Sequence, residues 1–181
     1  DKYKGHSEKQ IKEKAFHSDK KINDTYKPLL SGENIQRFYV NWDGKEFIKY
    51  GPWLGAPREQ RFFTEKRILI RQIVSGNPLR IYAGYTEEEY YNTQIAFNLL
   101  LNGRYNVNLK YILGIINSKL MNFYHRNKYL DQSKNVFQKI LIENAKKFPV
   151  KIIDGELYNN VIDFTEQIIK ENILWHNAKL E

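Results

Sequence analysis

The sequence predicts an α+β fold: a mixed, strongly twisted β-sheet domain with packed helices and a C-terminal helix that forms a packing seam. Three observations carry this. Aromatic and β-branched runs broken by Gly, Pro, Asn and Asp fill residues 37 to 83, as in short strands joined by turns. Apolar residues then recur at intervals of three and four between Leu109 and Phe123, the spacing of a helix with one buried face. A narrower stripe at similar spacing runs from Leu157 to Trp175.

Residues 1 to 25 are polar and basic, with isolated apolar positions at Ile11, Phe16 and Ile22, and are expected to form a surface arm or loop. Residues 37–42 and 46–50, joined by Asp43-Gly44, carry a hairpin signature, because glycine accepts the positive φ that a tight hairpin turn imposes. Gly51-Pro52 and Ala56-Pro57 then break the strand. Residues 67–74 and 79–83 are expected to be strands on either side of a Ser75-Gly76-Asn77-Pro78 turn. Thr86 precedes Glu89 by three residues, as in a capping box, so Glu87-Glu88-Glu89 reads as a helix start or solvated turn rather than a catalytic cluster. After Asn108, one helix is expected to bury Leu109, Ile112, Leu113, Ile116, Leu120 and Phe123 together. A polar, basic segment from His125 to Lys134 follows, then a short apolar stretch from Val136 to Ile142 and a break at Phe148-Pro149. The last helix, from about Glu156, carries Leu157, Val161, Phe164, Ile168 and Trp175. The expected organisation is an arm over 1–25, one domain over 26–153 and a C-terminal helix over 154–181 that packs on the domain or on a neighbour.

Apolar residues make up 41%, with ten Phe and thirteen Tyr, which excludes a disordered chain, and no apolar run is long enough for a membrane helix. The absence of Cys excludes a disulfide framework and a thiolate zinc site and fits a cytoplasmic location. Asp1-Lys2-Tyr3-Lys4 has neither a Met nor an apolar leader, so the start reads as a fragment boundary. The net charge of +8 is spread along the chain, which suits a folded polyanion-binding surface; a generic solubility charge is the alternative.

Catalytic signatures are missing. The four histidines, His6, His17, His125 and His176, are scattered at no metal-ligand spacing, and there is no phosphate loop, nucleophile elbow or HExxH motif. Asn77-Pro78-Leu79-Arg80 lacks the second proline and the aromatic ring that amino-methyltransferases use to hold a flipped base, and reads as a turn. Asp43, Glu46 and Lys49 could form a nuclease-type triplet, a pattern that charged chains also produce by chance. Neither a catalytic nor a metal site is expected. What remains is binding chemistry: Arg37, Lys49, Arg58, Arg61, Arg67, Arg71 and Arg80 lie in or beside strands and turns, where cations can reach phosphates or the guanine edge. Gln72, Asn77, Gln132 and Asn135 supply amides of the type that pairs with adenine. A protein-interaction domain with incidental basicity, binding through the stripe Leu157 to Trp175, is the competing reading.

Four stretches in order resemble a known family. Residues 27–38 (Lys27-Pro28-Leu29-Leu30-Ser31-Gly32-Glu33-Asn34-Ile35-Gln36-Arg37-Phe38) match its entry motif, and Trp42-Asp43-Gly44 through Tyr50-Gly51-Pro52-Trp53-Leu54 and Pro57-Arg58 match its hairpin and loop. Arg67-Ile68-Leu69-Ile70-Arg71-Gln72 is similar to its Lys-Ile-Leu-x-Arg strand, and Leu113-Gly114-Ile115-Ile116-Asn117-Ser118-Lys119 to its Leu-Gly-x-Leu-Asn-Ser helix, with Phe148-Pro149-Val150 where it has Leu-Pro-Ile. Asn34 stands where Asp is common and Arg67 where Lys is common; each keeps a capping or cationic role. Over residues 26 to 150 the chain thus resembles the TaqI-like C-terminal specificity domain of adenine-specific DNA methyltransferases and single-chain restriction–modification enzymes. The resemblance implies recognition of duplex DNA in the major groove. It also implies that a separate methyltransferase domain of the same polypeptide flips the adenine and holds S-adenosylmethionine, with no cofactor in this chain. The DNA contacts expected on that basis are Arg37, Arg58, Arg61, Arg71, Gln72, Lys119, Arg126, Lys128, Gln132 and Asn135, with base readout in a loop from His125 to Asn135.

Overall fold

A computed structural model describes residues 7–131, 133–134 and 137–178. In chain order its elements are α1 (Glu8–Lys12), β1 (His17–Ser18), β2 (Tyr26–Pro28), a 3-10 turn (Gly32–Asn34), β3 (Phe38–Tyr39), β4 (Phe47–Lys49), α2 (Arg61–Thr64), β5 (Arg67–Arg71), β6 (Ala83–Thr86), β7 (Ala96–Leu99), α3 (Leu109–Asn117), α4 (Lys119–Tyr129), α5 (Ile142–Ala145) and α6 (Gly155–Asn177). They form two sheets. The smaller, in the order β1-β4-β2, is antiparallel. The larger, β3-β6-β5-β7, is mixed: β3 runs parallel to β6, and β5 is antiparallel to both its neighbours. The chain is α+β, as its sequence predicts, and part of the segment read as an arm supplies strand β1.

Strand β5 is covered on both faces, which is why Ile68-Leu69-Ile70 reads as an unbroken apolar run rather than an alternation. Ile68 and Ile70 join Ala83 and the helix residues Leu109, Leu113 and Ile116 in the main core. Leu69, with the opposite parity, packs with Leu30, Ile35 and Ala96 in a second cluster. A third cluster, Leu29, Ile48, Phe63 and Tyr91, backs the small sheet, with the Phe63 and Tyr91 rings stacked at 4.4 Å between centroids.

Several expected pairings are replaced. Residues 37–42 and 46–50 form no hairpin: β3 enters the large sheet beside β6 and β4 enters the small one, so the Asp43-Gly44 turn, with Gly44 at φ 76°, connects two sheets. The physical reason is burial, since Tyr39 and Ile48 are each buried in a different layer. The Ser75-Gly76-Asn77-Pro78 turn does fold back, closed by the Ser75–Arg80 bridge, but the returning strand begins at Ala83 rather than Leu79. Glu87 to Glu89 lie in a turn, where the Thr86 hydroxyl accepts from the Glu88 N–H at 3.1 Å.

The helix expected to run from Leu109 through Phe123 breaks at Ser118. Its backbone is extended there (φ −62°, ψ 157°), ending α3 and capping α4 by accepting from the Met121 N–H at 3.0 Å. Asn117, just before the break, is buried and bonds both sides of the Ala83 residue: Nδ2 donates to its carbonyl at 2.8 Å and Oδ1 accepts from its N–H at 3.4 Å. The break turns α4 away from the register of α3, so Leu120 is 77% exposed and Phe123 also faces solvent, while Met121 and His125 are buried. Leu120 and Phe123 therefore do not belong to the core, and residues 125–129 are helix, not loop.

Helix α6 packs on α3 and β3. Gly114 permits the contact, since a Cβ there would sit 2.6 Å from Thr165 Oγ1 and 3.1 Å from Val161 Cγ1. The Lys110–Glu166 ion pair at 2.6 Å and the Tyr158 hydroxyl, accepting from the Asn108 N–H at 2.7 Å, fix its register. The face toward the domain comprises Tyr158, Thr165 and Ile169, whereas Leu157, Phe164, Ile168 and Trp175 are exposed.

Two predictions follow from this packing. Leu113→Asn is expected to destabilise the chain by more than about 3 kcal/mol, whereas Leu120→Asn stays within about 0.5 kcal/mol, as thermal melts can show. Burial lowers the His125 pKa from 6.5 to about 4, so the unfolded chain binds the proton first. This contribution to stability is complete above the unfolded value and is lost as pH falls from 6.5 to about 4, a total of roughly 3 kcal/mol. His125→Leu removes that dependence, so its melting temperature is expected to fall less than the wild type's between pH 7 and pH 4.5; parallel curves would contradict this.

Candidate nucleic-acid interface

A cleft of about 1060 Å³ lies between the two sheets, walled by β1 and β4 on one side and by Gln72 and the β7 region on the other. Its polar lining includes Lys14, Arg58, Gln72, Asn92, Gln94 and Asn98, and no carboxylate lines it among the described residues. Gln72 is held by its backbone, whose N–H donates to the Ile95 carbonyl at 2.7 Å and whose carbonyl accepts from Ile140 at 2.8 Å. Asn98 donates to Asn92 Oδ1 at 3.1 Å, and Asn92 in turn donates to the Ala96 carbonyl at 3.1 Å. The Asn98 Oδ1 atom is buried with no hydrogen-bond partner among the described residues. From a wall that Asn92 and Asn98 hold in place, the Gln72 amide can present a donor and an acceptor to a base edge, while Arg58 adds a fork of donors.

The Arg58 carbonyl accepts from the Tyr50 hydroxyl, which steadies the loop and leaves the Arg58 side chain exposed. Arg61 is also exposed, paired with Glu59 at 2.8 Å and lying over the Phe62 ring. Of the expected contacts, the structure therefore brings Arg58 and Gln72 to one cleft, with Arg61 on the short helix that supplies Phe62 and Phe63 to its lining.

Arg37 and Arg71 lie elsewhere, around Tyr82. Arg71 Cζ is 5.4 Å from the Tyr82 ring centroid, and the Arg71 N–H donates to the Tyr82 carbonyl at 2.9 Å. Arg37 donates from Nη2 to the Asn117 carbonyl at 2.6 Å, while its Nε is buried without a partner. Burial, and next the charge of Arg80, pull the Arg37 pKa down. Lys119 opens α4 two residues beyond Asn117 and is exposed. Lys128 is exposed farther along α4, 5.1 Å from the Tyr124 ring, and Arg126 is half-buried on the same helix. Gln132 and Asn135 lie outside the described residues. Because His125 is 2% exposed inside α4, the expected readout loop can start no earlier than Leu130.

Arg67, grouped with the binding cations on sequence, is instead fully buried. It donates to the carbonyls of Glu65 at 2.9 Å, Glu88 at 3.1 Å and Tyr90 at 2.8 Å, and burial lowers its pKa to about 10. Its role is structural. Asp43, Glu46 and Lys49 do not form a triplet: Asp43 pairs with Lys45, Glu46 with His17 and Lys14, and Lys49 lies over Trp53. Among the described residues no group of three or more His, Asp or Glu side chains gathers as a metal ion would require, and no helix is long and apolar enough to cross a membrane. Sequence reasoning missed Asn92, Gln94 and Asn98; the only signal was a polar Asn92-Thr93-Gln94 step between apolar neighbours.

The chain is 27% identical over 154 residues to a Methanocaldococcus jannaschii protein whose name describes it as a type II restriction enzyme and methyltransferase. The match covers 84% of this chain but 13% of that relative, so the chain spans a small part of the relative's length. The model of the TaqI-like C-terminal specificity domain matches residues 27–150, about two thirds of the sequence, and includes every motif from the Pro28-Leu29-Leu30 entry to Phe148-Pro149-Val150. The chain belongs to the TaqI-like C-terminal specificity domain family.

Proposed function

We propose that this chain is the target-recognition domain of a restriction–modification enzyme that methylates adenine at N6, reading duplex DNA while another domain of the same polypeptide performs catalysis with S-adenosylmethionine. One observation carries the reading: within a specificity-domain fold, a largely apolar cleft gathers the amides of Gln72, Asn92, Gln94 and Asn98 with the cations Lys14 and Arg58, and no carboxylate lines it among the described residues. Gln72 and Arg58 read base edges in the major groove, with Asn92 and Asn98 setting the wall beside them. Arg61, Lys119, Arg126 and Lys128 contribute further contacts; Gln132 and Asn135, outside the described residues, remain among the contacts the family resemblance implies.

The exposed stripe Leu157, Phe164, Ile168 and Trp175 extends along α6 on a face other than the one packed on α3. Intervals of seven, four and seven residues keep these side chains in one line. It is the docking face for the catalytic domain or a helical neighbour, and a protein-interaction role is thereby part of the enzyme's assembly rather than a separate function.

The domain is expected to enrich a defined sequence from a randomised duplex pool. Gln72→Ala and Arg58→Ala are expected to weaken binding to that sequence by about 1–3 kcal/mol each and to relax preference at individual positions. Unchanged preference in both variants would remove the cleft as the reading site. Phe164→Glu, on the docking face, is expected to leave the melting temperature of this chain within about 2 °C, and to reduce methylation when the chain is joined to its methyltransferase domain. Full activity of the joined variant would exclude that face as the contact.

A further inference from the structure

Arg37, Arg71 and Arg80 come from three separate segments and meet around Tyr82. Arg71 ends β5 and lies over the Tyr82 ring. Arg80 closes the preceding turn by two backbone hydrogen bonds with Ser75, at 2.8 and 3.2 Å, and its side chain is exposed. The next residue, Ile81, donates its N–H to Asn122 Oδ1 at 2.7 Å. Asn122 also donates to the Asn117 carbonyl at 3.3 Å, the same oxygen that accepts from Arg37. This chain of bonds holds Arg37 and Arg80 in one neighbourhood, close enough for the charge of Arg80 to act on Arg37.

None of the three forms an ion pair among the described residues. Glu33, beside the Gly32 that lies against Arg71, makes no ion pair either. Three guanidinium groups gathered without an ion-pair partner raise the local positive potential, which favours an anion from outside. Guanidinium forks match the tetrahedral oxygens of a phosphate.

We infer that Arg37, Arg71 and Arg80, set around Tyr82, form a clamp for one backbone phosphodiester of duplex DNA, separate from the cleft that reads bases. The inference rests on the DNA-recognition reading and deepens it: these arginines set register on the duplex and carry no sequence preference. Arg37 is anchored to the Asn117 carbonyl and positions the clamp, while Arg80, solvent-exposed and tied down only by its backbone, supplies the mobile finger.

The test is a fluorescence-anisotropy titration of the chain with random-sequence and selected duplexes over a salt series, for wild type, Arg80→Gln and Arg71→Gln. Lys146→Gln, which removes the same charge at the residue following α5, is the control. Both arginine variants are expected to lose about five- to tenfold in affinity for every sequence alike, and to lower the slope of log affinity against log salt by about 0.9, with the control unchanged. Wild-type binding with the same slope in all four proteins overturns the clamp and leaves the recognition reading standing, as does a loss confined to the selected sequence. A second readout needs no DNA: inorganic phosphate, against chloride at equal ionic strength, is expected to raise the melting temperature of wild type and not of Arg80→Gln. Equal shifts, or none, overturn the clamp. Failure of wild type to bind any duplex while phosphate stabilises it through Arg80 would instead overturn the DNA reading, and with it the assignment of the clamp to duplex DNA, leaving a site for a phosphate from another source.

Discussion

The buried amide of Asn117 is the interaction on which the rest of the arrangement depends. Its side chain replaces a missing strand neighbour by bonding both the N–H and the carbonyl of Ala83, so α3 is bolted to β6 by hydrogen bonds as well as by apolar contact. Its own carbonyl, freed because the helix stops there, accepts from Arg37 and Asn122. One residue thus joins the central sheet, the junction of two helices and the segment leading into β3. An unsatisfied buried amide costs about 1–3 kcal/mol, so no simple substitute keeps all these partners. The Asn-Ser pair of the helix motif has a physical meaning: Asn holds the strand, and Ser ends one helix while capping the next.

From that node the charges divide. On one side of the large sheet, α3 and α6 bury the main core, and α6 carries four carboxylates against the single cation Lys170. Elsewhere the chain is strongly basic, with a net charge of +8 overall. A polyanion is therefore repelled from α6 and drawn to the cleft and the Tyr82 cluster. In the proposed arrangement, Gln72 and Arg58 in the cleft distinguish one base from another, whereas the arginines around Tyr82 respond only to phosphate. Separating these duties lets affinity and sequence preference be altered independently.

The class of the fold and the helix beginning after Asn108 were legible because each rests on local periodicity and a capping residue. The hairpin expected at Asp43-Gly44 was not, because turn chemistry states that the chain reverses but not which sheet receives each strand. Tyr39 and Ile48 settle that by burial in different layers. Leu120 misled for a related reason: its spacing continues the stripe of α3, but a side-chain cap at Ser118 outweighs spacing and rotates the following helix. Of the candidate site, Arg58 and Gln72 were found from residue type, and Arg67 could not be told from them because a buried arginine that satisfies backbone carbonyls looks the same in sequence as an exposed one. The Asn92–Asn98 pair stayed hidden since it forms only once β7 is in place.

The most direct measurement of the central claim is amide hydrogen exchange on this chain with and without its preferred duplex at moderate salt. The account predicts slowed exchange in three segments, the loop over 54–58, the turn and strand over 71–82 and the approach to β7 over 92–98, with α6 unchanged. Protection concentrated on α6, with the cleft segments exchanging as in the free protein, would contradict it.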